Sequence, residues 1–291
     1  MRISLPYLCL MAAVLCAACQ QQPASQATSS TKVSTVAVAQ ANSVPQATPA
    51  PTIPKLSTEA KRFFAQHDLA PLMQLNNKQP EAQNGFYGPD QYRIEFVLTD
   101  VQRDVTTPQL YHVKGKNRFK GVITPFEGTV VFEQMLDQPK LTKHDRVTIQ
   151  DLEFENKKYA YSAIGNFTLR EDARVRSAGV FRGQIAADFI VNEDGTLTSY
   201  SQSKNSASRR GRTTFKGTWT SNISNQQKSV VWVKDIFSYQ GTLLKEFIVG
   251  GRALDFNPEY AKLGWNSYWE NEEWWAEPNS DTAQTADSEV L

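Results

Sequence analysis

The chain has 291 residues, with 31 Lys and Arg against 30 Asp and Glu, for a formal net charge of +1. A balance this close to neutral excludes the electrostatic footprint of a nucleic-acid-binding protein. The three cysteines are Cys9, Cys16 and Cys19, so the body of the chain holds no thiol for a disulfide or a zinc site, and its 40% hydrophobic content must supply the core by burial alone.

The N-terminus places Arg2 before an apolar run, ISLPYLCLMAAVLCAA, that ends in small residues. That layout predicts a secretory signal over residues 1–18, too short to span a bilayer comfortably. Cys19, straight after Ala17 and Ala18, resembles the lipobox of bacterial lipoproteins, although Cys16 stands where that family usually has Leu. The resemblance implies acylation of Cys19 with palmitate-type chains. It also implies a membrane partner held through an N-terminal lipid anchor, and a place in the cell envelope, at the periplasmic or surface face of an outer membrane. Cleavage after Ala18 without lipid is the plainer alternative. Residues 19–55 are rich in Gln, Ser, Thr, Ala and Pro and lack aromatics, a composition that predicts a disordered tether.

The folded part is expected over 56–277. Its first element is a helix in STEAKRFFAQHDL, capped by Ser57 or Thr58, with Glu59 in the first turn, Phe63 and Phe64 on the buried side, and Pro71 ending or bending it. From Gln91 the apolar period switches to two. Tyr92, Ile94, Phe96 and Leu98 share one face; so do Tyr159, Tyr161, Ala163, Gly165, Phe167 and Leu169, and so do Phe181, Gly183, Ile185, Ala187, Phe189 and Val191. The turn NEDG after the last of these is a hairpin signal. Further strands are predicted at about 110–115, 126–135, 146–155, 212–220, 228–237 and 242–250, with a bulge between Ile149 and Leu152. Sustained alternation means antiparallel sheet with one face in a core. The fold class is therefore mainly β, a single antiparallel barrel or sandwich of calycin-like form.

Four phrases repeat along these strands: Phe119-Lys120-Gly121, Phe126-Glu127-Gly128, Phe181-Arg182-Gly183 and Phe215-Lys216-Gly217, followed two places on by Ile123, Val130, Ile185 and Trp219. At period two the Phe, the Gly and the later residue fall on one face, so the glycine reads as a notch where a sheet coils sharply or an aromatic lies across it. Phosphate-cradling glycines belong instead in a turn that leads into a helix. The cluster Lys204, Arg209, Arg210 and Arg212 reads as a solvated loop.

The segment WNSYWENEEWWAE is the densest in aromatics. Trp265, Tyr268, Trp269, Trp274 and Trp275 are the candidate ligand-binding residues, suited to stacking on sugars or to an interface, or else to closing a mouth or edge of the sheet. Residues 278–291 read as a disordered acidic tail. Gly179, Phe181 and Gly183, then Phe215, Gly217 and Trp219, then Glu259, Tyr260, Gly264 and Trp265 together resemble a set of functionally uncharacterised, exported bacterial β-rich proteins of lipocalin-like, lipoprotein type. That resemblance implies a shared β fold and carries no activity.

No chemistry is legible. His67, His112 and His144 stand apart, no nucleophile elbow or phosphate loop exists, and the pairs Glu153/Glu155 and Glu272/Glu273 need tertiary structure to meet. No catalytic residue, metal ligand or cofactor is assigned, and the chain is not expected to be an enzyme. The expected role is non-catalytic binding of a hydrophobic or glycan ligand, which small barrels can hold in their mouths. The alternative is an envelope scaffold or assembly protein acting through protein contacts.

Overall fold

Strands that alternate apolar and polar residues must cover one face, and here they do so by closing on themselves. The computed structural model describes residues 52–76, 79–138, 160–201, 204–239, 248–249, 255–270 and 273–276. After a two-residue ladder of β1 (Leu75–Asn76) and β2 (Gln79–Pro80), the ring is built from β3 (Gln83–Tyr87), β4 (Tyr92–Arg103), β5 (Leu110–Phe119), β6 (Val122–Asp137), β7 (Ala160–Glu171), β8 (Gly179–Val191), β10 (Thr213–Ser221) and β11 (Gln227–Val233). Each strand pairs antiparallel with its neighbours, and the pairings of β10 with β8 and of β11 with β3 close the circle. The result is a closed eight-stranded barrel, consistent with the calycin-like architecture, and the sandwich alternative falls. Closure removes the free edges that an open sheet of this size would expose. β9 (Leu197–Ser199) lies outside the ring as a short hairpin partner of β8 across the Asn192–Gly195 turn, as the NEDG signal predicted.

The barrel has a plugged end and an open one. α1 (Thr58–Gln66) starts at Ser57, whose hydroxyl accepts from the amide of Ala60 at 3.1 Å, and it ends before Pro71. Pro71 instead sits in the first turn of a second helix, α2 (Ala70–Gln74), where its missing N–H costs nothing. Phe64, Leu69, Leu72 and Met73 are buried into the barrel core. The plug is tied down by polar bonds as well: the Leu69 amide donates to the Tyr111 hydroxyl at 2.9 Å, and Thr213 Oγ1 donates to the Leu72 carbonyl at 2.8 Å. The middle of the barrel is filled by an aromatic stack. Trp232 lies between Phe96, 3.9 Å away at 14°, and Phe215, 4.7 Å away at 5°, with Phe167 and Phe181 edge-on.

Several expected boundaries shift. β5, β6 and β7 run longer than their apolar patterns, and β6 bulges between Phe132 and Gln134, as β4 does between Leu98 and Asp100. The predicted strand 146–155, with its bulge, lies outside the described residues. The expected strand 228–237 stops at Val233, and Ile236–Tyr239 forms a short helix, α3. Of 242–250 only β12 (Ile248–Val249), paired with β13 (Asp255–Phe256), is described. One Phe-x-Gly phrase is corrected as well. Lys120 and Gly121 carry φ of 51° and 78° and form the two-residue hairpin turn joining β5 to β6, so the glycine of Phe119-Lys120-Gly121 is a turn residue rather than a notch inside a strand. The other three phrases lie within strands.

The C-terminal segment is laid on the outside of the barrel. Trp265, fully buried, packs on Phe86 with ring centres 4.9 Å apart, and its indole N–H donates to the Gln91 carbonyl at 3.1 Å. This second apolar cluster, with Val233 and Ile236, sits apart from the barrel core.

Candidate functional site

At the end opposite the helices the strands leave a cleft of about 240 Å³. Its walls are built by the inward phase of seven strands: Tyr87 from β3, Ile94 from β4, Asn117 and Phe119 from β5, Thr124 from β6, Glu171 from β7, and Phe181 and Trp219 from β8 and β10. Phe181 links the cleft to the central stack, meeting Phe96 edge-on at 5.2 Å. The lining rings also touch one another: Tyr87 is 4.6 Å from Phe119 and 5.8 Å from Trp219. Lys120 stands at the rim with its ammonium 4.1 Å from the centre of the Tyr92 ring and 5.5 Å from that of Phe119.

Glu171 is the one acidic group in this lining, and it is 9% exposed. Its Oε1 accepts from the Asn117 side-chain amide at 2.8 Å. Its Oε2 accepts from the Gly179 amide at 2.7 Å and from the Trp219 indole N–H at 2.8 Å. The last contact depends on Gly179. A Cβ there would overlap the Trp219 ring and the Thr220 carbonyl oxygen, so only glycine lets the indole lie across the start of β8 and reach the acid.

Burial raises the Glu171 carboxyl above its ordinary 4.5, and the three donors pull partly the other way. Burial also raises the Tyr87 phenol, with Glu171 adding to the shift. The sign of the linkage follows from the acid. Between 4.5 and its raised native value the folded protein keeps a proton that the unfolded chain has lost, so this group's contribution to stability falls as pH rises through that window. Glu171→Gln is expected to flatten this falling limb. The amide oxygen still accepts from Gly179 and Trp219, and Asn117 turns its own oxygen to the new NH₂. Urea melts at stepped pH values check it: the difference between variant and wild type should move in the variant's favour from about pH 4.5 upward. Parallel curves would remove Glu171 as a proton-linked group.

The aromatic residues singled out in the sequence gather elsewhere. Trp265 is inside the outer cluster and presents no face to a ligand. Tyr268, Trp269, Trp274 and Trp275 line a groove of about 340 Å³ on the outer barrel wall, away from either mouth. The groove is floored by a buried ionic network in which Glu95 bridges Arg93 at 2.8 Å and Arg118 at 2.7 Å. Arg93 donates to Ser267 Oγ at 3.0 Å and lies 5.3 Å from the Tyr268 ring centre, while Arg118 lies 5.2 Å from that of Trp274. Lys116 Nζ donates to the Trp275 carbonyl at 2.9 Å. Strand-facing cations thus hold the acidic, aromatic segment on the wall. Only Trp269, 52% exposed and stacked on Phe237 at 5.6 Å, offers a large open surface.

Cys19, His144, the Glu153/Glu155 pair and Glu272 lie outside the described residues. His67 meets the Gly195 carbonyl and His112 meets Asp104, each on the surface. Among the described residues no three His, Cys, Asp or Glu side chains converge on a metal position. The basic run keeps Lys204, Arg209 and Arg212 exposed, as a solvated loop does. Arg209, Arg210 and Arg212 all take positive φ as the chain folds the Ser206 and Ser208 hydroxyls inward. There Asp188, fully buried, accepts from Ser162 and Ser208 at 2.6 Å each and also from Ser201.

Glu171, Asn117, Tyr87 and Trp219 were not singled out in the sequence as a site. The signal was present for the acid: the inward series Ala163, Gly165, Phe167, Leu169 continues by two to Glu171. Comparison of the chain with protein-family models, with curated proteins and with solved structures returns no match.

Proposed function

We propose that the protein binds a small, largely apolar ligand in the open mouth of its barrel without transforming it, and that it does so in the cell envelope, anchored by lipid on Cys19. One observation carries the binding reading. The barrel interior is packed with side chains and its other end is plugged, yet the open end keeps a ring-lined cleft with a single buried carboxyl among its walls. A concave apolar surface with one or two fixed polar groups is the usual form of a small-molecule site. At about 240 Å³ the cleft suits a ligand smaller than those the larger pockets of this kind enclose. The anchor rests on the N-terminal pattern that ends at Cys19.

A scaffold role keeps one specific support, the exposed Trp269 face on the outer groove, which is the kind of aromatic surface that protein partners use. Native mass spectrometry of the full-length gene product purified from its own source tests both readings in one spectrum. The expected result is a mass increment of acyl chains that disappears in Cys19→Ser, together with a small co-purifying molecule that is lost in Trp219→Ala. A bare polypeptide mass with no small molecule overturns the mouth reading, and a second polypeptide retained through Trp269 favours the scaffold.

A further inference from the structure

The chemistry of the mouth narrows what it takes, granted that it is a binding site. We propose that its ligand is a small amine in its cationic form carrying a short apolar body, with the ammonium donating to Glu171 and the body lying against Tyr87, Phe119 and Trp219. A carboxylate offers about four acceptor positions. Three are used, by Asn117 on Oε1 and by Gly179 and Trp219 on Oε2, which leaves the remaining capacity on Oε1, on an acid that borders the cleft. Among the described residues no Lys or Arg forms an ion pair with Glu171, in contrast to Glu95 on the outer wall, which has two arginines. A buried acid without a countercharge is costly in its charged form, and a ligand that brings the cation removes that cost.

The rings favour the same ligand. Aromatic faces attract ammonium groups, most strongly where water is excluded. The protein already uses this cluster so at its rim, where the Lys120 ammonium lies over Tyr92 and near Phe119. An anionic ligand meets like charge at Glu171, and a purely hydrocarbon one leaves the acid's open acceptor unpaired.

Isothermal titration of the full-length protein at neutral pH with hexylamine, 1-hexanol and hexanoate separates these cases, because the three probes share a chain and differ in the head group. Hexylamine is expected to bind about tenfold or more tightly than 1-hexanol, as a charge-assisted hydrogen bond implies, with hexanoate weakest. In Glu171→Gln, checked for folding by circular dichroism, the preference for hexylamine over 1-hexanol should disappear. Equal binding of hexylamine and 1-hexanol by the wild type, or a hexylamine preference that survives Glu171→Gln, overturns the amine and leaves mouth binding standing. Failure of all three probes to bind overturns both.

Discussion

Trp232→Ala is expected to cost about 3–5 kcal/mol, read as a fall in the urea midpoint at unchanged slope. The indole is fully buried at the centre of the barrel, stacked on Phe96 on one side and Phe215 on the other, with Phe167 and Phe181 against its edges. Burial of an aromatic of this size removes roughly 200 Å² from water, worth about 5 kcal/mol at 25 cal/mol per Å². Alanine forfeits most of that and leaves a cavity that rings fixed on four strands cannot collapse to fill. Among the described residues the indole N–H finds no hydrogen-bond partner, so Trp232→Phe removes an unsatisfied donor together with part of the ring. The Phe variant should therefore lose no more than about 2 kcal/mol. Equal losses for Ala and Phe would mean that the stack is not what holds the barrel's centre. Because Phe181 is both a neighbour of Trp232 and a wall of the open cleft, the Ala variant should also deepen the mouth and admit longer ligands.

How far the sequence carries depends on the range of the interaction that decides each feature. Strand alternation is local, so the core faces of β4, β7 and β8 were legible, with Ile94, Phe96, Phe167, Phe181 and Ile185 all inward and buried. The Ser57 cap was legible for the same reason. Closure was not, because barrel and sandwich share the same alternation and differ only in whether β10 finds β8 and β11 finds β3. The outer face of β4 misleads in another way. Arg93 and Glu95 alternate with the core residues Ile94 and Phe96 and so fall on the outer face, yet they are buried, because a segment some 170 residues later in the chain folds back over them. Glu171 was hidden by its residue type. A carboxylate in an apolar phase reads as the end of a strand, and only the three donors from β5, β8 and β10 make its burial tolerable.

The glycines of the repeated phrase give the sharpest stability test. Gly183 and Gly217 face each other directly where β8 meets β10, one of the two seams that close the barrel, and Phe167 pairs with Gly183 from the other side. Their alternation with Phe181, Ile185, Phe215 and Trp219 puts both on the inward phase, as the pattern predicted. What they avoid differs from the expectation of a notch filled by side chains. A Cβ on Gly183 would overlap the Lys216 carbonyl oxygen and come within 2.5 Å of the Gly217 Cα, and one on Gly217 would overlap the Arg182 carbonyl oxygen and come within 2.8 Å of the Gly183 Cα. The obstacle is therefore backbone, which cannot rotate away as a side chain can. Gly183→Val and Gly217→Val should each cost about 3 kcal/mol or more, at or beyond the upper end of ordinary overpacking. Even Gly→Ala should cost about 1–3 kcal/mol despite the alanine's smaller conformational entropy in the unfolded chain. Arg182→Gln and Lys216→Gln, on the exposed phase between them, should stay within about 0.5 kcal/mol. Urea melts of these variants decide between a seam and a binding motif. If the valines melt like wild type while loss of the charges abolishes ligand uptake, the phrase serves binding. If the valines open the seam, glycine stands at these two positions so that the strands come close enough for the barrel to close.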